Sequence, residues 1–546
     1  MSALTLTLKA NGRPLKETIE LLAVDVVREI NRISRAQLVL IDGDLASRRF
    51  ALSDSADFAP GQEIEVLARY EGDQAGNQTL FKGIVVGQRV EGGPQGTRLT
   101  VDLKDRAVRL TVGRQTRILN DKTDSQIMNR LIGDHGLKKG KIQATSLKHP
   151  ELVQYQISDW DFLLLRAEAN GLVVVNEDGQ LSVVAPDATR PARHHIEAGL
   201  DELFDFEMRL DTSDQTSTVS AAAWDIRSQQ LRGSANNRPV PLRQGQLKPG
   251  EITAMAGSSS QIELDGVAAP QPEELQPWVD GTLLRQRLGL LQGRLSLSGS
   301  AAYRLLDPLA VSGIGRCFNG TALITALRQR LTTRHGWITD VQLGLSPQSF
   351  ASRPDIQPPP AGGLLAGIRG LHIGLASDFK KDPDGQFRLQ VRLYGDKELT
   401  VWARLAAPDA GKDHGFVFWP EANDEVVVGF VNEDPRQAVV LGSLFSQKNR
   451  VPPDLAPTEN NLVRGLVTKK NNRLLIIDDD KAELLLKTSA GKEIHLNENE
   501  DSLTIKDEHG NEIVLDKDGI KLKSGKDLTL EASGKVEIKG QSVDLK

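Results

Sequence analysis

From residue 475 onward the chain repeats one small unit, two aliphatic residues separated by a single residue. The pairs are Leu475/Ile477, Leu484/Leu486, Ile494/Leu496, Leu503/Ile505, Ile513/Leu515, Ile520/Leu522, Leu528/Leu530, Val536/Ile538 and Val543/Leu545. They start 9, 10, 9, 10, 7, 8, 8 and 7 residues apart, and Gly491, Gly510, Gly519, Gly525, Gly534 and Gly540 fall between them. In a strand, residues i and i+2 point to the same face, so each pair makes one apolar spot on a short strand. Glycine then permits a tight corner. The period is too short for helical solenoid repeats and resembles β-helix spacing.

A single file of such strands would leave open edges, which invite uncontrolled pairing. Three chains wound together give every strand neighbours and bring the aliphatic pairs to a common axis. Between Lys481 and Lys546 stand eleven lysines and fourteen acids, with no proline and no aromatic residue, which suits a solvated outer face over unbroken ladders. Nine strands at ~4.8 Å give a rigid shaft roughly 40 Å long. Two other readings stay open at this level: a disordered charged tail, and a β-solenoid that closes within one chain. The regular pairs argue against the first, and the short units argue against the second. The needle-core residues on this reading are Leu484, Leu486, Ile494, Leu496, Leu503, Ile505, Ile513, Leu515, Ile520, Leu522, Leu528, Leu530, Val536 and Ile538.

The rest of the chain is also mainly β. Residues 1–110 carry short alternating runs such as Glu63-Ile64-Glu65-Val66-Leu67, separated by Gly and Asp clusters. Two helices follow, over about Asp124–Asp134 and from Ser158 as N-cap to Gly171 as stop. A third is expected near Glu273–Leu290. The expected division is a hub over 1–350, a proline-stiffened linker over 351–361, a compact barrel over 362–446, a second linker over 447–465 and the needle over 466–546. The barrel strands are expected at about Leu364–Ile373, Phe387–Leu393, Thr400–Leu405, Phe416–Trp419, Glu425–Val431 and Ala438–Leu441.

The 546 residues carry a net charge of −6, which gives no global attraction to nucleic acid or an anionic membrane. One cysteine, Cys317, rules out an intrachain disulfide. The N-terminus alternates (Leu4, Leu6, Leu8) as a strand does, without the pattern of a signal peptide, and no apolar run reaches the ~18–20 residues of a membrane span. Assembly in a bacterial cytoplasm is therefore expected.

Three stretches resemble the VgrG-type hub-and-spike proteins of contractile injection systems. The first is Val153-Gln154-Tyr155-Gln156-Ile157-Ser158-Asp159-Trp160-Asp161-Phe162 with Leu163 to Gly171, similar to that family's hub signature. The second is Val311-Ser312-Gly313-Ile314-Gly315 with Phe318-Asn319-Gly320 and Trp337-Ile338-Thr339. The third and strongest is Ala407 to Lys412, Gly415 to Glu421, Asp424 to Phe430, Asp434-Pro435 and Val440 to Ser443. The resemblance implies a hub of two β-barrel-like domains with inserted helices, an OB-fold barrel and a C-terminal triple-stranded intertwined β-helix. It implies a homotrimer beneath a hexameric inner tube and baseplate. Asn423 stands where the family often has glycine, Ala438 where it often has proline, and Leu393-Tyr394 where type VI secretion proteins often have an aromatic–proline pair. The short linker leaves no room for a lysozyme domain, and no effector is expected after Lys546. This compact build looks closest to the spike of extracellular phage-tail-like particles, with a type VI secretion spike that delivers effectors as the alternative.

No HExxH, GxSxG or phosphate-loop pattern occurs, so no enzymatic activity, cofactor or metal is expected. The GxG step in Val311–Gly320 reads as a hairpin turn, His194-His195 as a surface or loop pair, and Asp478-Asp479-Asp480 as a solvated turn. Trp402 and Trp419 read as packing rather than a carbohydrate platform. The tail histidines, His495 and His509, lie far from the end, unlike those of phage spikes that hold an apex iron. The expected function is mechanical. The spike adapts a sixfold tube to a threefold needle, pierces the target envelope and carries a separate PAAR-type tip protein on Val543 and Leu545.

Overall fold

A computed structural model describes residues 4–16, 18–72, 76–94, 96–225, 228–238, 240, 261–265, 272–393 and 400–544. The chain divides into two compact units, Met1–Pro358 and Pro359–Lys546.

The first unit is organised by a 13-stranded sheet. One group of six strands comes from the N-terminal hundred residues and runs in the order Leu21–Glu29, Arg35–Ile41, Gly96–Lys104, Gln78–Gly93, Glu63–Tyr70, Leu4–Ala10, with the two-residue strand Arg13–Pro14 at its edge. The second group runs Leu203–Leu210, Leu291–Ser298, Gly336–Leu343, Gly320–Thr332, and Pro308–Ser312 and His194–Glu197 branch from the last of these. Leu21–Glu29 pairs antiparallel with Gly320–Thr332, Val27 opposite Arg328, and so fuses the groups into one sheet. Each has its own apolar core, around Leu38, Ile64, Val66 and Leu99 in the first and Leu295, Leu309, Ile324 and Val341 in the second. The two barrel-like modules expected of the hub thus share a continuous hydrogen-bonded sheet.

Between the groups lies a helical layer. Helix α1 (Asp124–Asp134) starts on a capping box in which Thr123 and Gln126 satisfy each other's backbone N–H. Helix α2 (Asp159–Ala169) is capped by Ser158, whose Oγ accepts from the Asp161 N–H at 3.1 Å. Its residues Phe162, Leu163, Leu164 and Ala167 join Ile127, Leu131, Val174 and Val183 in a third core. A small sheet (Thr218–Asp225, Gln230–Asn236, Gln261–Asp265) packs Val219 and Ala221 on Leu275, Val279 and Leu283 of helix α3 (Pro272–Gly289). Gly171 does more than stop α2. A Cβ on Gly281 of α3 would lie 2.7 Å from the Gly171 Cα, so the two backbones touch where side chains would hold them apart.

The segment expected as a free linker is packed at its start. Ile356 is buried in the helical core, and Arg114 donates to the Asp355 and Ile356 carbonyls at 3.2 and 3.1 Å. His194-His195 is part of a strand rather than a loop, and the His194 ring hydrogen-bonds Asp307 at 3.2 Å. Val311 and Gly320 are paired across a hairpin.

In the second unit His372–Ala376, Arg388–Leu393, Thr400–Leu405, Ala438–Ser443 and Glu425–Phe430 close into a barrel. Two expected strands differ. Residues 364–371 form no strand, because a 3-10 turn over Pro360–Gly363 precedes them and pairing begins only at His372. Phe416 to Trp419 is not paired as a strand among the described residues, although the Phe416 N–H donates to the Asp409 carbonyl at 3.0 Å. It follows a two-residue ribbon, Ala410–Gly411 with His414–Gly415, whose Gly415 takes φ +141°. Asn423 occupies the left-handed region at φ +69°, which asparagine tolerates best among non-glycine residues. Tyr394 lies outside the described residues. No helix among the described residues is long and apolar enough to cross a membrane.

Candidate functional site

The needle region folds within one chain as a seven-stranded antiparallel meander. Its strands are Val463–Val467, Arg473–Asp478, Ala482–Lys487, Glu493–Asn497, Ser502–Lys506, Glu512–Asp516 and Gly519–Lys523, in sequence order. The sheet therefore begins at Val463, inside the stretch expected as linker. Turns at Gly491 (φ +99°) and Gly510 (φ +83°) require a conformation that side chains resist.

The register aligns the aliphatic pairs into a ladder two residues wide. Leu486 and Leu484 stand opposite Ile494 and Leu496, these opposite Ile505 and Leu503, these opposite Ile513 and Leu515, and these opposite Leu522 and Ile520. The first rung differs from the sequence reading. Leu474 and Ile476 stand opposite Leu486 and Leu484, whereas Leu475 and Ile477 belong to the other face. The run Leu474-Leu475-Ile476-Ile477 is aliphatic in both parities, so period 2 alone cannot choose between them.

This ladder is open. Apart from the half-buried Leu503, its residues from Leu484 to Leu522 are 37–74% exposed. Leu528, Leu530, Val536, Ile538 and Val543 are exposed as well, and residues 524–544 form no strand within the chain. Leu545 lies outside the described residues.

The opposite face mixes aliphatic and polar residues and is better covered. Glu493 is buried between the ammonium groups of Lys487 and Lys506, each at 2.8 Å. Burial would raise its pKa, but the hydrogen bonds from both lysines outweigh burial and hold the carboxyl below its ordinary value. His495 and Asn499 converge on Glu483, both at 2.9 Å, and Lys492 meets Glu508 at 2.6 Å. Cross-strand charges thus knit one face while the aliphatic ladder waits on the other.

The barrel signature places Trp419 edge-on to Phe379 at 5.6 Å and the Arg388 guanidinium over Trp402 at 5.8 Å. The sequence reading missed the clasp beneath this contact. Asp382 accepts from the N–H groups of Asp384, Gln386 and Arg388 and from the Arg388 guanidinium. Hydrogen bonds from Arg388 hold its carboxyl well below the usual carboxylate range. The Asp382-Pro383-Asp384-Gly385 turn pattern was the available signal.

The hub signature forms a second polar cluster. Arg166 of α2 donates from Nε and Nη2 to the two oxygens of Asp124 at 2.6 and 2.9 Å and lies 3.4 Å from Glu274 of α3. Asn170 and His149 also bond Asp124, at 2.8 and 3.2 Å. Burial pushes the Asp124 pKa up, yet Arg166 and these partners bring it below the ordinary value. Among the described residues, no group of three or more His, Cys, Asp or Glu is placed to hold a metal ion.

Comparison with known proteins follows this geometry. Residues 1–333 match the family model of the Alg8 N-terminal domain. Residues 372–445 match the type VI secretion system/phage-baseplate injector OB domain, which spans the closed barrel. The type VI secretion system spike protein VgrG5 of Pseudomonas aeruginosa is 25% identical over 428 residues, 68% of this chain and 50% of its own length. VgrG4b of the same organism is 23% identical over 434 residues, 70% of this chain and 50% of its own length. The chain thus spans about half the length of these curated relatives. Among solved structures, a type VI secretion system component of E. coli is 13% identical, with 80% of this chain and 99% of that one covered and a TM-score of 0.39. With the first family model covering more than half of its residues, the chain belongs to the Alg8 N-terminal domain family, and it is a VgrG-type spike protein with an injector OB domain.

Proposed function

We propose that the chain is the structural homotrimeric spike of a contractile injection particle. The observation that carries this reading is the open ladder. A file of aliphatic pairs crosses successive strands and lies exposed in one chain, while residues 524–544 keep the pairs Leu528/Leu530 and Val536/Ile538 without an in-chain strand to join. Three copies give both regions their missing partners. The pairs meet at the threefold axis, and the short distal units pair between chains as an intertwined β-helix.

The hub's two strand groups support the tube-adapting role. Three chains would present six such groups, which matches a hexameric inner tube above while the needle stays threefold below. Sheath contraction then drives the trimer into the target envelope as a rigid point. The function is mechanical, not enzymatic. The distal aliphatic pairs, Val543 among them, dock a separate tip protein of the PAAR type. Assembly takes place in the bacterial cytoplasm before the particle is released. A second reading, a type VI secretion spike delivering effectors, is favoured by the likeness to VgrG5 and VgrG4b. Recovery of the protein in sheath-bearing particles from culture medium favours the first reading, and dependence on cell contact favours the second.

The deciding measurement is solution mass by light scattering. The expected value is three times the 59.6 kDa of one chain, and a single-chain mass refutes the reading. Truncation after Gly540 removes the last pair and is expected to abolish tip binding while leaving the trimer. Retained tip binding overturns the docking assignment.

A further inference from the structure

The barrel holds no aromatic residue in its fully buried core, and among the described aromatics only Trp419 and Phe430 pack against that core, partly buried. Its buried core consists of Ala376, Leu389, Val391, Leu393, Ala403, Val426, Val428, Ala438 and Val440, with no phenylalanine among them. Five phenylalanines of the same region, Phe379, Phe387, Phe416, Phe418 and Phe445, are 57–81% exposed. At about 200 Å² for each side chain, they offer on the order of 600 Å² of aromatic surface. The five positions stand in separate segments of the unit, and their summed area is comparable to the largest apolar patch on a typical monomer.

Phe387 is the most exposed of the five, at 81%, and has a further peculiarity. Its backbone sits at φ +56°, a region that bulky residues avoid. Such strain persists only where the surroundings over-determine it. Here the neighbours do so. Asp382, itself buried, accepts from Gln386 N–H at 2.8 Å and Arg388 N–H at 3.1 Å, the two residues that flank Phe387. Arg388 closes the loop with Nη2 on Asp382 Oδ1 at 2.7 Å and lies over Trp402. The clasp spends its hydrogen bonds on holding an aromatic ring outward, where it gains nothing in one chain.

We propose that Phe387 is the preset anchor of a barrel-to-barrel contact between copies of this chain, with the Asp382–Arg388 clasp as its positioning device. The inference rests on the trimer reading above and goes beyond it by naming the residue that locks the barrels. A second copy is the occupant because the cover must be permanent. The same unit carries the open needle ladder, which on the trimer reading is covered by copies of this chain. A fixed rotamer-poor aromatic also loses little entropy on docking, as interface anchors do.

The test uses the full chain. Phe387→Gly removes the ring and relieves the left-handed backbone, so folding is not impaired. It is expected to raise the subunit concentration at half-dissociation in moderate urea by about 10–100-fold, with circular dichroism unchanged. Phe387→Trp is expected to assemble as the wild type does, and Asp382→Ala to weaken assembly by less than Phe387→Gly. In a Cys317→Ser background, Phe387→Cys is expected to be protected from maleimide in the trimer and reactive after dissociation. Assembly of Phe387→Gly as tight as wild type, or equal labelling in both states, overturns the anchor and assigns the exposed ring to another partner while the trimer stands. A wild-type chain that is monomeric defeats the trimer reading itself and this inference with it.

Discussion

Replacing Arg166 by methionine tests how the helical layer is held together. The guanidinium makes two bonds to Asp124 at 2.6 and 2.9 Å and approaches Glu274 at 3.4 Å, so it ties α1, α2 and α3 at one point. Asp124 is 2% exposed and cannot recruit water if Arg166 is lost. Asn170 and His149 remain as its partners, but neither brings the fixed positive charge of a guanidinium. Removing one member of a buried ion pair costs about 3–5 kcal/mol, which corresponds to roughly 5 °C in Tm for a unit of this size. The sign with pH follows from the carboxyl. In the wild type the Asp124 pKa is depressed, so its stabilisation is present above the unfolded value and lost as pH falls through the folded one. In the variant burial dominates and raises the pKa, and protonation then relieves the buried charge. The deficit of Arg166→Met is therefore expected to be largest at neutral pH and to shrink toward about pH 4. Adding Asp124→Asn to Arg166→Met is expected to recover more than half of the lost Tm, because the orphaned charge is gone. Calorimetry on the four proteins of this cycle at two pH values measures it. An Arg166→Met Tm within about 2 °C of wild type at neutral pH, or no recovery in the double variant, refutes the reasoning.

Two other perturbations address the needle. Ile494→Asp puts a carboxylate in the middle of the ladder, opposite Leu486 and Ile505; the site is 39% exposed in one chain and would be axial in the proposed trimer. The single chain is expected to keep its fold while the trimer is lost, since three unpaired buried charges cost several kcal/mol each, and sedimentation velocity reads the difference. Glu493 has a lowered pKa, so its stabilisation is present above about pH 4.5 and fades as pH falls through the folded value. Glu493→Gln is expected to speed hydrogen exchange across residues 482–516 at neutral pH and to have no effect in acid, where the wild type has already lost the contribution.

The physics explains which parts of this structure could be read in advance. Helix α2 was legible because its start and stop signals, Ser158 and Gly171, act on residues close by in the chain. The barrel's glycine- and proline-rich signature was legible for the same reason, whereas its Phe416–Phe418 stretch looked like a strand and is paired with no strand among the described residues. β-propensity reports fit to a half-buried surface, and that surface is absent here within one chain. The first rung of the ladder was misread by one residue because Leu474 to Ile477 satisfies either parity. The Arg166 cluster could not be read at all. Its partners lie 42 residues away at Asp124 and 108 residues away at Glu274.

By itself, the sequence determined what depends on near neighbours: the cap of α2, the repeat of aliphatic pairs, the glycine corners between them and a mainly β chain. Tertiary structure alone decided what depends on distant pairing. It joined Leu21–Glu29 to Gly320–Thr332, placed Gly171 against Gly281, chose the parity of the first needle rung and held Phe387 outward at the cost of a strained backbone. Local signals are written in propensities that each residue carries with it. Register, contact and exposure belong to pairs of segments, and they exist only once the chain has brought those segments together.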